Sequence, residues 1–209
     1  QQDISDSVFS IVTPDPLSQD VDMLQCLVGT VRDSSIVSFL RNPGTYPYTV
    51  DSIRITGPSA SMFTMVSGFP PFEVPAGTEK PVEFRFQPTS IGTKVAQVLI
   101  YVNGEIIRQN LRGEGIAPQL SVVNSIIDFG KIIVGTQKDT LRALTIKNIG
   151  TVPLLITSTY HAGPNATDFS TRSGGGSFTL APNTSAELDL RFSATKQFRT
   201  SGRLLFDYN

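Results

Sequence analysis

The chain offers few residues that do chemistry, and their spacing does not assemble a catalytic centre. His161 is the only histidine and Cys26 the only cysteine in 209 residues. A hydrolytic triad or a zinc site would need His161 to find partners. It follows Thr159-Tyr160 in a strand-to-loop stretch, so a structural or solvated role is expected. Ser173-Gly174-Gly175-Gly176-Ser177 has the glycine content of a phosphate-cradling loop, yet no Lys-Ser or Lys-Thr pair follows and no helix opens after it. A loop between strands is expected there. Asp22 and Asp128 have no cluster of oxygen ligands around them in sequence, and a turn or bulge hydrogen bond suits them better than calcium. Asn165-Ala166-Thr167 and Asn183-Thr184-Ser185 are formal glycosylation sequons that matter only in a eukaryotic secretory protein. No catalytic, cofactor-binding or metal-binding residue is therefore assigned, and the chain is read as a non-enzyme that needs no cofactor. The one candidate partner contact is Phe69-Pro70-Pro71, an apolar loop segment. The neighbouring Phe72 is expected in the core, because Phe178 stands at the matching place further on.

That matching place belongs to a repeat. Val28-Gly29-Thr30 recurs as Val134-Gly135-Thr136, Asn42 and Gly44 recur as Asn148 and Gly150, and Arg85-Phe86 recurs as Arg191-Phe192. The offset is 106 residues throughout (134 − 28, 148 − 42, 192 − 86). Two copies in phase argue for a tandem array, with domains at 1–116 and 117–209 joined through Gly113-Glu114-Gly115-Ile116-Ala117-Pro118. Each copy, at roughly 90–115 residues, is large enough to bury its own core. Cys26 falls opposite Ile132, so it is expected to sit in an apolar niche as a small hydrophobe.

The elements that position these residues have period two. Val82, Phe84 and Phe86 alternate with Glu83 and Arg85, and Leu188, Leu190 and Phe192 alternate with Asp189 and Arg191. Ala96, Val98, Ile100 and Val102 are matched by Gly202, Leu204, Phe206 and Tyr208 as a further inward set. No long stretch carries a helical stripe, so little or no helix is expected. Asn103-Gly104 signals a two-residue hairpin. Asn42-Pro43-Gly44 and Asn148-Ile149-Gly150 read as turns in which Gly takes a positive φ and Asn bonds back to local backbone. Short strands and frequent turns predict an all-β chain of two tandem antiparallel β-sandwiches. With no Trp and no Cys pair, the core must rest on aliphatics and Phe.

Bulk composition narrows the function classes. A formal net charge of −1 with mixed signs gives no basic field for a phosphate backbone, so nucleic acid is not an expected partner. No apolar run is long enough to span a membrane. A single cysteine excludes an intramolecular disulfide. The start at Gln1-Gln2 reads as a processed mature form or an excised fragment.

Ile127-Asp128-Phe129-Gly130 followed by Val134-Gly135 resembles the opening of the Hydin-like (ASH) and choice-of-anchor D immunoglobulin-like domains. Asn148 and Gly150 with Pro153-Leu154, then Leu180-Ala181-Pro182, follow in the order of that family. Phe86-Gln87-Pro88 with Gly92, and Leu111-Arg112-Gly113-Glu114-Gly115, do the same in the first copy. The first copy departs at Val21-Asp22-Met23-Leu24, which lacks the Phe-Gly pair, and the second at Ala194 and Phe198. The resemblance implies immunoglobulin-like sandwiches. It also implies a structural or adhesive role in a bacterial surface or exported protein, or alternatively a cytoplasmic ciliary or centrosomal scaffold. The expected partners are other proteins or neighbouring copies of the same repeat.

The second copy stops at Asn209, the counterpart of Asn103, and so lacks the closing strand that Glu105–Leu111 supplies to the first. A fragment of a longer protein is the preferred reading. The alternative is a donor-strand filament subunit, with Gln1–Ser7 as the spare strand and Phe9–Val12 as a first strand like Leu120–Val123.

Overall fold

Strand β6 (Glu79–Phe86) shows how the sequence builds its sheets. Val82, Phe84 and Phe86 are fully buried, while Glu83 and Arg85 between them face outward. The computed structural model describes residues 20–209, so the expectations for Gln1–Ser7 and Phe9–Val12 lie outside the described residues. The chain divides into two units, Gln1–Gly115 and Ile116–Asn209.

In the first unit, β1 (Val21–Leu27), β2 (Arg32–Arg41), β3 (Tyr48–Thr56), β4 (Phe63–Ser67) and β5 (Phe72–Val74) precede β6, and β7 (Gly92–Val102) and β8 (Glu105–Ile116) follow it. They form one sheet in the order β1-β8-β7-β3-β5 and a second in the order β2-β6-β4. Between the sheets lies a core in which Phe39 meets Phe84 edge-on at 5.2 Å and Phe63 stacks on Phe86 at 4.8 Å. Asn103 (φ 48°) and Gly104 (φ 86°) turn β7 into β8, and pairing then runs unbroken from Val102↔Glu105 to Gly92↔Gly115. Gly113 is required on β8 because a Cβ there would lie 2.6 Å from the Phe86 ring.

The second unit contains β9 (Leu120–Val123), β10 (Gln137–Asn148), β11 (Leu154–Ala162), β12 (Phe169–Ser173), β13 (Phe178–Leu180), β14 (Ser185–Ser193) and β15 (Arg203–Tyr208). Its sheets run β12-β14-β10-β9 and β13-β11-β15. Apart from the β1–β8 edge the strand pairs are antiparallel, and helix among the described residues is confined to single 3₁₀ turns at Ala60–Met62 and Ala166–Asp168. The register repeats with the sequence. Phe63↔Phe86 becomes Phe169↔Phe192, and Val50↔Val102 becomes Ile156↔Tyr208. The irregularity at Met65/Ser67 returns at Thr171/Ser173. A second irregularity moves: it lies between Ile36 and Leu40 in β2 but between Thr140 and Leu144 in β10.

The deepest correspondence is polar. Asn42 and Asn148 are buried, with 1% and 0% of their surface exposed. Asn42 Oδ1 accepts the Gly44 N–H at 3.0 Å, and Nδ2 donates to the carbonyls of Tyr46 (2.8 Å) and Val74 (2.9 Å). Asn148 does the same with the Gly150 N–H (2.9 Å) and the carbonyls of Val152 (2.8 Å) and Leu180 (3.0 Å). Each amide thus ties the turn after β2 or β10 to β5 or β13.

Two expectations need correction, and one element of the first unit has no counterpart in the second. Neither Gly44 nor Gly150 adopts a positive φ. Gly150 is needed for space, since a Cβ there would lie 2.3 Å from the Ala117 carbonyl oxygen. Tyr208 is not an inward counterpart of Val102, being 51% exposed against 3%; β8 flanks β7, whereas among the described residues only β11 flanks β15. Residues 127–133, opposite β1, form no strand. They still repeat its turn: Asp22 accepts the Leu24 N–H at 2.8 Å and Asp128 the Gly130 N–H at 2.7 Å. Leu24 (φ 57°) takes the left-handed conformation that Gly130 (φ 68°) adopts at lower cost. Met23 fills the core where Phe129 does in the second unit.

Removing a buried amide orphans at least three backbone groups, so Asn148→Ala is expected to cost about 3 kcal/mol in urea denaturation. Asn148→Asp retains the acceptor but neither donor, and is expected to be comparably destabilising. A loss below about 1 kcal/mol would remove the amide from its structural role.

Candidate functional site

The apolar loop singled out in the sequence joins β4 to β5. Phe69 is 64% exposed, and Phe72 is half-buried against the core with the Lys80 ammonium 5.0 Å above its ring. The loop therefore presents one aromatic ring outward and turns the other in. The second unit has Gly175-Gly176-Ser177 in place of Phe69-Pro70-Pro71.

Cys26 is buried and free, with Sγ 3.4 Å from Thr30 Oγ1. Asp22 and Asp128 serve as turn acceptors. Among the described residues, no three His, Cys, Asp or Glu side chains gather where they could hold a metal ion.

Charge is organised as a repeated pair on the outer face. Arg85 donates from Nε and Nη2 to the two Asp33 oxygens at 2.7 Å each, and Arg191 grips Asp139 at 2.6 and 2.8 Å. These guanidiniums hold both carboxyls below the usual carboxylate range. The Arg142 backbone N–H and the Ser173 hydroxyl do the same for Asp189. Two-pronged geometry fixes the pairing of β2 with β6 and of β10 with β14 more than it stabilises, because both partners face solvent.

His161 sits in a recess of the second unit. Strand β11 supplies Thr159 and His161, β12 supplies Phe169–Ser173, and the glycine loop closes the rim. The cleft is about 410 Å³. His161 Nε2 lies 3.0 Å from Thr171 Oγ1, and the Gly176 N–H donates to Thr159 Oγ1 at 2.8 Å. Burial pushes the His161 imidazole below its ordinary pKa, so it is neutral at pH 7. No local motif marks this cleft. The available sign was a difference between the copies: Ile53, Ile55 and Met65 stand where Thr159, His161 and Thr171 do.

With two packed β-sheets around a core in each unit, the architecture is that of an immunoglobulin-like β-sandwich. Residues 118–209 match the family model of the HYDIN/CFA65/VesB-like, Ig-like domain. No curated protein sequence matches the chain. Among solved structures, the chain is similar to the secreted serine protease VesC from Vibrio cholerae at 11% identity and a TM-score of 0.39, over 90% of this chain and 50% of that one. It is similar to the ASH/PapD-like domain of human CEP192 at 16% identity and a TM-score of 0.33, over 56% of this chain and 97% of that one. A chain of the CsuC–CsuE chaperone–tip adhesion subunit complex from Acinetobacter baumannii is similar at 12% identity and a TM-score of 0.34, over 91% and 99%. The chain thus spans half the length of VesC.

One titration follows from the packing around the Asn42 turn. Tyr48 is 2% exposed, its hydroxyl 3.4 Å from the Arg41 carbonyl oxygen, and burial raises its pKa to about 12. An unfolded tyrosine ionises near pH 10, so this burial contributes stability in full below that pH. The contribution is lost as pH rises from about 10 towards about 12. Absorbance titration near 295 nm of wild type and Tyr48→Phe should assign the last of the five tyrosines to ionise to Tyr48. A last step that persists in Tyr48→Phe would contradict this.

Proposed function

We propose that the chain is a non-catalytic tandem segment, structural or adhesive, of a bacterial surface or exported protein. The observation that carries this reading is the repetition, unit for unit, of the buried Asn amide, the bidentate Arg–Asp pair and the strand register. A chain that repeats its supporting framework while varying its loops suits a modular spacer with a few contact points. The family match of the second unit supports the immunoglobulin-like part of the reading. Exposed Phe69, with Pro70 and Pro71, supplies an apolar contact for a protein partner or a neighbouring repeat.

The location is tested on intact cells of the source organism. Brief external protease treatment should remove an antibody epitope placed on the Phe69 loop while a cytoplasmic marker survives. An epitope protected until the cells are lysed would favour an intracellular scaffold instead.

A further inference from the structure

The two units serve as controls for one another at the cleft. Ile53, Ile55 and Met65 pack against the core of the first unit, and beneath them Phe63 is 3% exposed. The second unit places Thr159, His161 and Thr171 at those positions, and Phe169 is left half-buried on the cleft wall. The bulky Phe69-Pro70-Pro71 loop becomes Gly175-Gly176-Ser177. A Cβ on Gly175 would lie 2.9 Å from Thr171 Cγ2 and 3.0 Å from Thr159 Oγ1, so glycine lets the loop rest against the two hydroxyl residues. Apolar burial is thereby given up at three registered positions in favour of a hydrogen-bonding wall. Such an exchange weakens a core unless something else occupies the site.

The chemistry of the wall selects a ligand class. Thr159 Oγ1 accepts from the Gly176 N–H, which leaves its own proton to donate. His161 uses Nε2 towards Thr171, and its Nδ1 has no protein partner among the described residues. Carboxylates beside the cleft disfavour an anion. Arg172 reaches towards Asp139 at 3.9 Å, Asp189 lies beside Ser173, and the imidazole is neutral. Phe169, half-buried and stacked on Phe192 at 5.1 Å, is the apolar residue of the lining and the one against which C–H groups would rest. At about 410 Å³ the cleft falls at the small end of ligand sites. We propose that this cleft of the second unit binds a single residue of a neutral saccharide, its hydroxyls meeting Thr159, His161 and Thr171 and its C–H face resting on Phe169. The proposal is independent of where the protein resides and of whether Phe69 contacts a partner.

His161 is the only histidine, so its ring Cε1–H resonance reports the cleft without ambiguity. The full chain would be titrated with methyl α-glucoside, methyl β-galactoside, methyl α-mannoside and N-acetylglucosamine to about 50 mM, a range that captures millimolar dissociation constants. Sodium phosphate and sodium acetate serve as anionic comparisons. At least one saccharide should shift the His161 signal saturably. Thr171→Val, which removes a hydroxyl at nearly constant volume, should weaken that binding at least about fivefold. Thr159→Ile with Thr171→Met, which installs the first unit's residues, should abolish it. The proposal is overturned if no saccharide moves the signal, if only phosphate or acetate does, or if saccharide binding is undiminished in Thr171→Val.

Discussion

Each unit is organised around one buried carboxamide. A polar side chain inside a sandwich core costs free energy unless every hydrogen-bonding group on it is used. Asn42 and Asn148 both meet that condition with two donor bonds and an accepting oxygen, all to backbone: Asn42 accepts from Gly44, and Asn148 from Gly150 and, at 3.4 Å, Gln119. The backbone of the same residues joins in: the N–H of Asn42 reaches the Thr78 carbonyl and its own carbonyl takes the Gly77 N–H. In the second unit Thr184 and Asn183 play those parts. Turn, short strand and following turn are therefore held by a single residue. Its shape admits no common substitute, since Asp lacks the donors and Leu lacks every one of these bonds.

Around that fixed point the sheets follow from alternation and the surface pairs add direction. The Asp33–Arg85 and Asp139–Arg191 forks lie in solvent, where ion pairs contribute little to stability. A slip of one residue would turn Phe84 or Leu190 outward, and the forks oppose such a slip by matching only one register. The repeated framework leaves the β4–β5 and β12–β13 loops free to diverge. One carries an exposed aromatic ring and the other borders a polar cleft.

The alternation in Val82–Phe86 and Leu188–Phe192 was enough to place the central strands, and Asn103-Gly104 was enough to place the hairpin. Both are local signals. The roles of Asn42 and Asn148 were legible only as turn residues, because their bonds to Val74 and Leu180 span 32 positions of chain. The glycines beside them carry an ambiguous signal, because a close approach of backbone calls for the same residue as a positive φ does. The loss of a strand at 127–133 was hidden as well, since strand formation depends on a ladder partner as well as on the segment's own residues. The cleft escaped notice for a different reason. Attention to positions that match between the copies passes over Thr159, His161 and Thr171, which matter because they differ from Ile53, Ile55 and Met65.

The most direct test of the buried carboxamide is native-state hydrogen exchange at Gly44 and Gly150, whose N–H groups are held by the Asn oxygens. A turn amide in open solvent exchanges at the rate of a free peptide, whereas one released only by unfolding of its unit exchanges with the core. The account predicts that both amides exchange as slowly as those of Val82 and Leu188 in the central strands. Exchange at the free-peptide rate while those core amides remain protected would contradict it.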